Sequence, residues 1–241
     1  MDRTEGGADV IVRDAGDAWQ VVLQTDHAEL SGALARAWAE RRPDHDSLVT
    51  AAARHDDGWA VWERAPRVDE SGRPVNFLDV DVRSHLAFYR AGIAAITEQD
   101  ADAGLLVSMH GAGIYKQRYG LDTGLGLTRA AEVQPEVDAF VAEQEAKFGG
   151  VPGDRFDDYA LLQIYDRLSL YFCLRDVEHG EEAELQGYRL EPLAPWRVRL
   201  APYPFYESPI EFSLVRRTIS KAAPADVLGT PQERAAIVFE R

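Results

Sequence analysis

One stretch limits the possible folds more than any other: LLQIYDRLSLYFC, residues 161–173. It is apolar almost throughout and helical in period, yet Asp166 sits near its middle. An isolated carboxylate in such surroundings is too costly, so any fold of this chain must bring Asp166 partners. Candidates are few. The chain has six histidines, at positions 27, 45, 55, 85, 110 and 179. His45 in RPDHDS and His179 in VEHGEE read as satisfied surface or core residues. The other four fall in apolar helical stretches.

The first 23 residues alternate, with DVIVRD and WQVVLQ flanking the turn-prone AGDA, and read as a β hairpin (1–23). The period then changes. TDHAELSGALARAWAERR predicts a helix capped by Thr25 or Asp26, with Leu30, Leu34, Ala37 and Trp38 as its buried stripe. DSLVTAAARH predicts a second helix, residues 82–98 a third, and ADAGLLVSMHG a short fourth ending at Gly111. Residues 57–81 between the second and third read as a long loop, of the kind that often carries function. EVQPEVDAFVAEQEAKFGG and FDDYALLQIYDRLSLYFCLRD complete a helical domain over 24–180. From 181 to 241 the composition turns β-rich, with prolines at 192, 195, 202, 204 and 209 marking edges and bends. The predicted fold class is mainly α: a helical bundle with a small antiparallel β appendage built from both terminal segments and packed on the same domain.

Bulk composition excludes some functions. A formal charge of −15 argues against binding a nucleic-acid backbone. No apolar run approaches membrane length, and MDRTEGG lacks the basic start of a signal peptide. The single cysteine, Cys173, suggests a reducing compartment, so the expectation is a cytoplasmic protein with a small-molecule substrate. Cys173 lies midway along an apolar helix and Ser108 has no triad around it, which leaves nucleophilic catalysis without support.

The ionisable residues on the apolar faces do form a pattern. His27 opens the first helix; His55 and Asp56 close the second; His85 shares a face with Phe88, Tyr89 and Gly92; His110 closes the fourth; Asp166 lies on the sixth. Imidazole and carboxylate together suit Mn, Fe, Co, Ni or Zn better than Ca or Mg. Adjacent residues on a regular helix diverge by about 100°. His55 and Asp56 can therefore share an ion only where the helix ends, and the following DDG supplies that ending.

The order His, His-Asp, Asp on successive helices resembles the HD-domain superfamily of metal-dependent phosphohydrolases, and YDRLSL looks like its last ligand segment. The resemblance spans about 27–170. It implies a first metal on His27, His55, Asp56 and Asp166, and a second on His85 and His110 with Asp56 bridging: one or two divalent transition-metal ions in all. The implied function is hydrolysis of a phosphate ester or nucleotide. Gly58 and Trp59 stand where members cleaving cyclic dinucleotides often carry a lysine, so that substrate is not implied. The same six ligands are shared by diiron oxygenases similar to myo-inositol oxygenase, a second expectation; a non-catalytic sensor or binding module is the third. HDDGWAVWE, LLVSMHGAGIY and LLQIYDRLSLYFC also resemble a prokaryotic family of unknown function. Asp57, beside the dyad, is the candidate for proton handling in catalysis. Lys116 and Arg118 are candidate phosphate clamps just beyond His110, with a solvated loop as the alternative reading. The glycine-spaced GLDTGLGLTR reads as linker or lid.

Overall fold

The computed structural model describes residues 10–121, 131–178 and 180–241. Residues 122–129 of the glycine-spaced stretch, and His179, lie outside the described residues.

The N-terminal alternation forms β1 (Ile11–Ala15) and β2 (Ala18–Val22), joined by the two-residue loop Gly16–Asp17. Gly16 takes a φ of +76, the left-handed backbone that tight hairpin loops favour. β2 pairs antiparallel with β6 (Ile210–Ser220), which pairs antiparallel with β7 (Glu233–Glu240). β7 in turn runs parallel to β5 (Arg197–Ala201), while β4 (Tyr188–Ala194) and β3 (Ala183–Leu185) add antiparallel strands beyond it. The order is β1-β2-β6-β7-β5-β4-β3, one curled sheet containing both terminal segments. Six α-helices occur among the described residues: α1 (Gln24–Ala37), α2 (His45–Arg54), α3 (Val82–Thr97), α4 (Ala101–Ile114), α5 (Gln134–Phe148) and α6 (Phe156–Leu174).

This corrects the expected fold class. The chain is not a mainly α, HD-like bundle with a small antiparallel appendage; it is an α/β fold, 47% helical and 23% strand, with a large mixed sheet. The reason lies in what the C-terminal strands bury. Val198 and Leu200, Phe212 and Leu214, and Ile237 and Phe239 alternate inward and enter the same core as Leu34, Tyr165 and Phe172 of the helices. Trp38, at the end of α1, is the joint. Its ring lies 5.0 Å from Tyr165 of α6, and 5.4 Å from both Tyr188 and Phe205. The apolar stripe of α1 therefore covers sheet as well as helix. A smaller cluster of Val10, Val12, Val21, Ile219 and Val227 packs around the hairpin end of the sheet.

Helix α1 packs on α2 and α6, and α4 on both α2 and α6, so four helices form one block beneath the sheet. α4 is buried along most of its length and runs past Gly111 to Ile114. Gly113 allows this continuation, because a Cβ there would collide with the Tyr159 hydroxyl. His110 is thus held inside a helix rather than at its end. Among the described residues, no helix is long and apolar enough to cross a membrane.

Candidate metal centre

Helix α1 delivers His27, and its first turn is fastened from a distance. The N-cap position is Leu23, with no side-chain cap, and Asp26 instead faces Arg217 of β6 at 3.6 Å. The acceptor comes from Glu63, in the short 3-10 turn Trp62–Arg64, which takes the Gln24 N–H and the Thr25 hydroxyl, the latter at 2.7 Å. Burial pushes the Glu63 carboxyl up to about 7, against the pull of those hydrogen bonds. A carboxyl raised on folding favours the native state most below its ordinary value near 4.5, and that advantage is lost as pH rises through 7. Glu63→Gln keeps an acceptor for Gln24 and removes the ionisation. In the metal-free chain it should abolish this slope and raise stability at pH 8 by about 3 kcal/mol, measured by urea denaturation at pH 5 and pH 8. An unchanged slope would contradict the assignment.

Helix α2 ends at Arg54, His55 is its C-cap, and Asp56 adopts φ −110, ψ 16 before the 3-10 turn Asp57–Trp59 leads the chain away. This break lets two adjacent side chains converge. Gly58 makes the break possible: a Cβ there would meet the Phe88 carbonyl, and one on Gly92 would lie 2.8 Å from the Gly58 nitrogen. The close approach presses the dyad onto α3, where Tyr89 donates to Asp56 Oδ1 at 2.7 Å.

His27, His55, Asp56, His110 and Asp166 are each at most 5% exposed. They form two overlapping triads, His27–His55–Asp166 and His55–Asp56–His110, with the ligand atoms of each within 4.8 Å of one another. His27 Nε2 lies 3.0 Å from Asp56 Oδ2, and His55 Nε2 lies 3.6 Å from both Asp56 Oδ2 and Asp166 Oδ1. Two ligands bound about 2.0–2.2 Å from one ion stand roughly 3.0–3.6 Å apart, a spacing these atoms could offer to a shared ion.

The far nitrogen of His55 is tied down, as a metal-ligating imidazole requires. His55 Nδ1 donates to the Ala52 carbonyl at 2.9 Å, leaving the lone pair on Nε2, which is buried and has no hydrogen-bond partner. His27 Nδ1 lies 2.7 Å from Ser169 Oγ. That hydroxyl donates to the Asp166 backbone carbonyl, and His27 Nε2 hydrogen-bonds Asp56 Oδ2. His110 is held differently, its Nδ1 accepting from the Gln163 amide nitrogen at 3.1 Å. A buried acceptor between two carboxylates needs a cation. In the metal-free chain a proton serves: burial alone lowers the His55 pKa, but Asp56 and Asp166 overcome it and hold it at about 9. Although burial pushes both carboxyls up, His55 and its neighbours keep them well below the usual carboxylate range. These buried histidines and aspartates could hold a metal ion. Both triads draw on His55 Nε2, which has one lone pair, so they describe one centre.

The remaining sequence candidates are dispersed. His85 lines the same chamber but belongs to neither triad; its Nδ1 meets the Tyr115 hydroxyl. Asp57 pairs with Arg54 at 2.6 Å and does not line the chamber. Lys116 also stays outside it, with Nζ 2.9 Å from Glu145. Arg118 reaches in. Its guanidinium lies 3.2 Å from His110 Nδ1 and 3.5 Å from Asp166 Oδ2, and, after burial itself, is the main reason the His110 pKa falls well below its ordinary value. The backbone that carries it is strained. Gln117, Arg118 and Tyr119 take φ of 51, 52 and 54, followed by Gly120 at 91. A left-handed L-residue costs about 1–2 kcal/mol, and such strain persists only where its surroundings impose it. Here Tyr119 donates to Glu145 at 3.0 Å and packs between Phe148 and Tyr159, while Lys116 grips the same Glu145.

Above the triads opens a cavity of about 170 Å³. Leu78, Val80 and Val82 from the segment entering α3, Ile114 from α4, and Leu170 and Leu174 from α6 supply its apolar wall. Sequence reasoning passed over Tyr89, Gln163 and Glu63. Gln163 had a signal, since Gln163, Asp166 and Ser169 recur every three residues along α6 and lie on adjacent turns. Glu63 had none, lying 39 residues from the amide it caps.

A family model described as "Protein of unknown function (DUF3891)" matches residues 10–221. No curated protein and no solved structure matches the chain. The family match and the seven-stranded sheet together overturn membership of the HD-domain superfamily and the all-α description, and hydrolase assignment by that resemblance falls with them.

Proposed function

For this chain, which belongs to the DUF3891 family of proteins of unknown function, we propose a metal-dependent hydrolase activity on a small phosphate ester. The observation that carries the reading is the buried Nε2 of His55, which makes no hydrogen bond, stands 3.6 Å from two carboxylates and is flanked by two further imidazoles. That donor set suits one divalent ion of the Mn, Fe, Co, Ni or Zn type. Such an ion supplies a water of lowered pKa and neutralises phosphoryl charge.

The chain's own residues account for the rest of the chemistry. Arg118 offers its guanidinium to the phosphoryl oxygens, a charge-assisted contact. Tyr89 holds Asp56 in orientation through its 2.7 Å hydrogen bond. The His85–Tyr115 pair faces the same chamber and provides a proton for the leaving oxygen. In the step itself a water oxygen bonds to phosphorus and the ester P–O bond breaks. The departing oxygen takes a proton, giving an alcohol and inorganic phosphate.

The test is metal analysis of the purified chain, with turnover of a phosphomonoester panel in the presence of each of these ions. The reading expects one ion per chain, and activity lost to a chelator and restored by a single metal. Neither metal nor turnover across the panel would overturn it. Metal retention with ligand-induced stabilisation but no turnover would make the chain a binding module instead.

A further inference from the structure

The chamber combines one fixed cation with mostly aliphatic and aromatic walls, whose unpartnered polar atoms are Gln24 Oε1 and Trp59 Nε1. Arg118 is the guanidinium at its inner end, placed by three successive left-handed residues and staked through Tyr119 and Lys116 to Glu145. Asp56 and Asp166 cancel the charge of a divalent ion, so Arg118 leaves one positive charge uncompensated in a largely apolar space. An anion is the natural counterpart. Away from that end the wall is aliphatic, formed by Leu78, Val80, Val82, Ile114, Leu170 and Leu174. His85 and Tyr115 engage each other there. Nothing on the aliphatic wall matches the hydroxyls of a sugar.

Size points the same way. The cavity holds about 170 Å³. A protein cavity of about 150 Å³ lined by aliphatic and aromatic groups admits benzene. A ring or short branched chain therefore matches it in size, whereas a nucleoside would extend through its mouth into solvent.

Resting on the hydrolase reading, we propose that the site selects monoesters with one phosphate and a compact apolar body, such as an aryl or branched-alkyl phosphate, over nucleotides and sugar phosphates. The phosphate would meet Arg118, and the organic body would lie along the aliphatic wall.

The test uses the metal-loaded full chain and three stable probes, phenylphosphonate, methylphosphonate and adenosine 5′-monophosphate, titrated calorimetrically. Burying a phenyl group should make phenylphosphonate bind at least about tenfold tighter than methylphosphonate. Adenosine 5′-monophosphate should bind no tighter than methylphosphonate. Arg118→Gln should weaken both phosphonates by about tenfold or more. Ile114→Trp, which fills the aliphatic end, should bring phenylphosphonate down to the methylphosphonate level. Equal affinity for the two phosphonates, or preference for the nucleotide, in a chain that carries its metal overturns this inference alone. Failure to take up metal removes the hydrolase reading and this inference with it.

Discussion

Asp166→Asn should strip the centre of its ion while leaving the fold in place. Asparagine matches aspartate in shape and keeps an oxygen that can accept from Arg118, so the packing of α6 against α4 has no reason to change. The charge is what disappears. Asp166 Oδ1 stands 3.6 Å from His55 Nε2 and belongs to one of the two triads. Losing an anionic ligand should lower zinc affinity by at least about 100-fold, the upper range already seen when only outer partners of a ligand are removed. Competition against a chromophoric chelator measures this directly. Thermal melting separates the two effects: the metal-free variant should melt below the metal-free parent, because His55 and Arg118 lose a buried counter-charge, and the rise in Tm produced by zinc in the parent should vanish. Undiminished zinc affinity would exclude Asp166 as a ligand.

Gly58→Ala should damage the fold itself. The new methyl group would meet the Phe88 carbonyl, which is backbone inside α3 and cannot rotate aside, and Gly92 on the same helix is already in close contact with Gly58. Either α3 retreats or the turn after the dyad unwinds, at a cost of about 3 kcal/mol. Both escapes carry Asp56 away from Tyr89, so metal affinity should fall along with stability. Gly153→Ala is the control, because a Cβ at Gly153 meets nothing within 4 Å. It should leave both quantities unchanged. A Gly58→Ala variant that melts with the parent would show that the Gly58–Gly92 contact does not hold the dyad in place.

The helices and most of the centre were legible because they follow local rules. A carboxylate in an apolar helical run has to be met by something, and a His-Asp pair before DDG sits where a helix breaks. Both statements concern residues near one another in sequence, where helical period and chain termination decide the outcome. The sheet was less legible. The strands of 181–241 show as strands, but the alternation of Phe212, Leu214, Ile237 and Phe239 does not say that Phe239 meets Phe172 of α6, or that Phe205 meets Trp38. Nor does it reveal that β7 inserts between β6 and β5 and so runs parallel to one of them. Those are long-range choices. The HD-domain resemblance misled for a related reason: the order of ligand types along a chain does not encode the architecture that gathers them. Between Lys116 and Arg118, two residues apart, only the left-handed turn decides which reaches the cavity. Gln117, Arg118 and Tyr119 are not residue types that announce such a backbone.

In the proposed centre, imidazoles and carboxylates from separate helices surround a single cation. X-ray absorption at the metal edge of the zinc-loaded chain tests it most directly. The predicted spectrum has at least two imidazole nitrogens and carboxylate oxygen in the first shell, at about 2.0–2.2 Å. A first shell made only of oxygens, with no imidazole scattering, would contradict it.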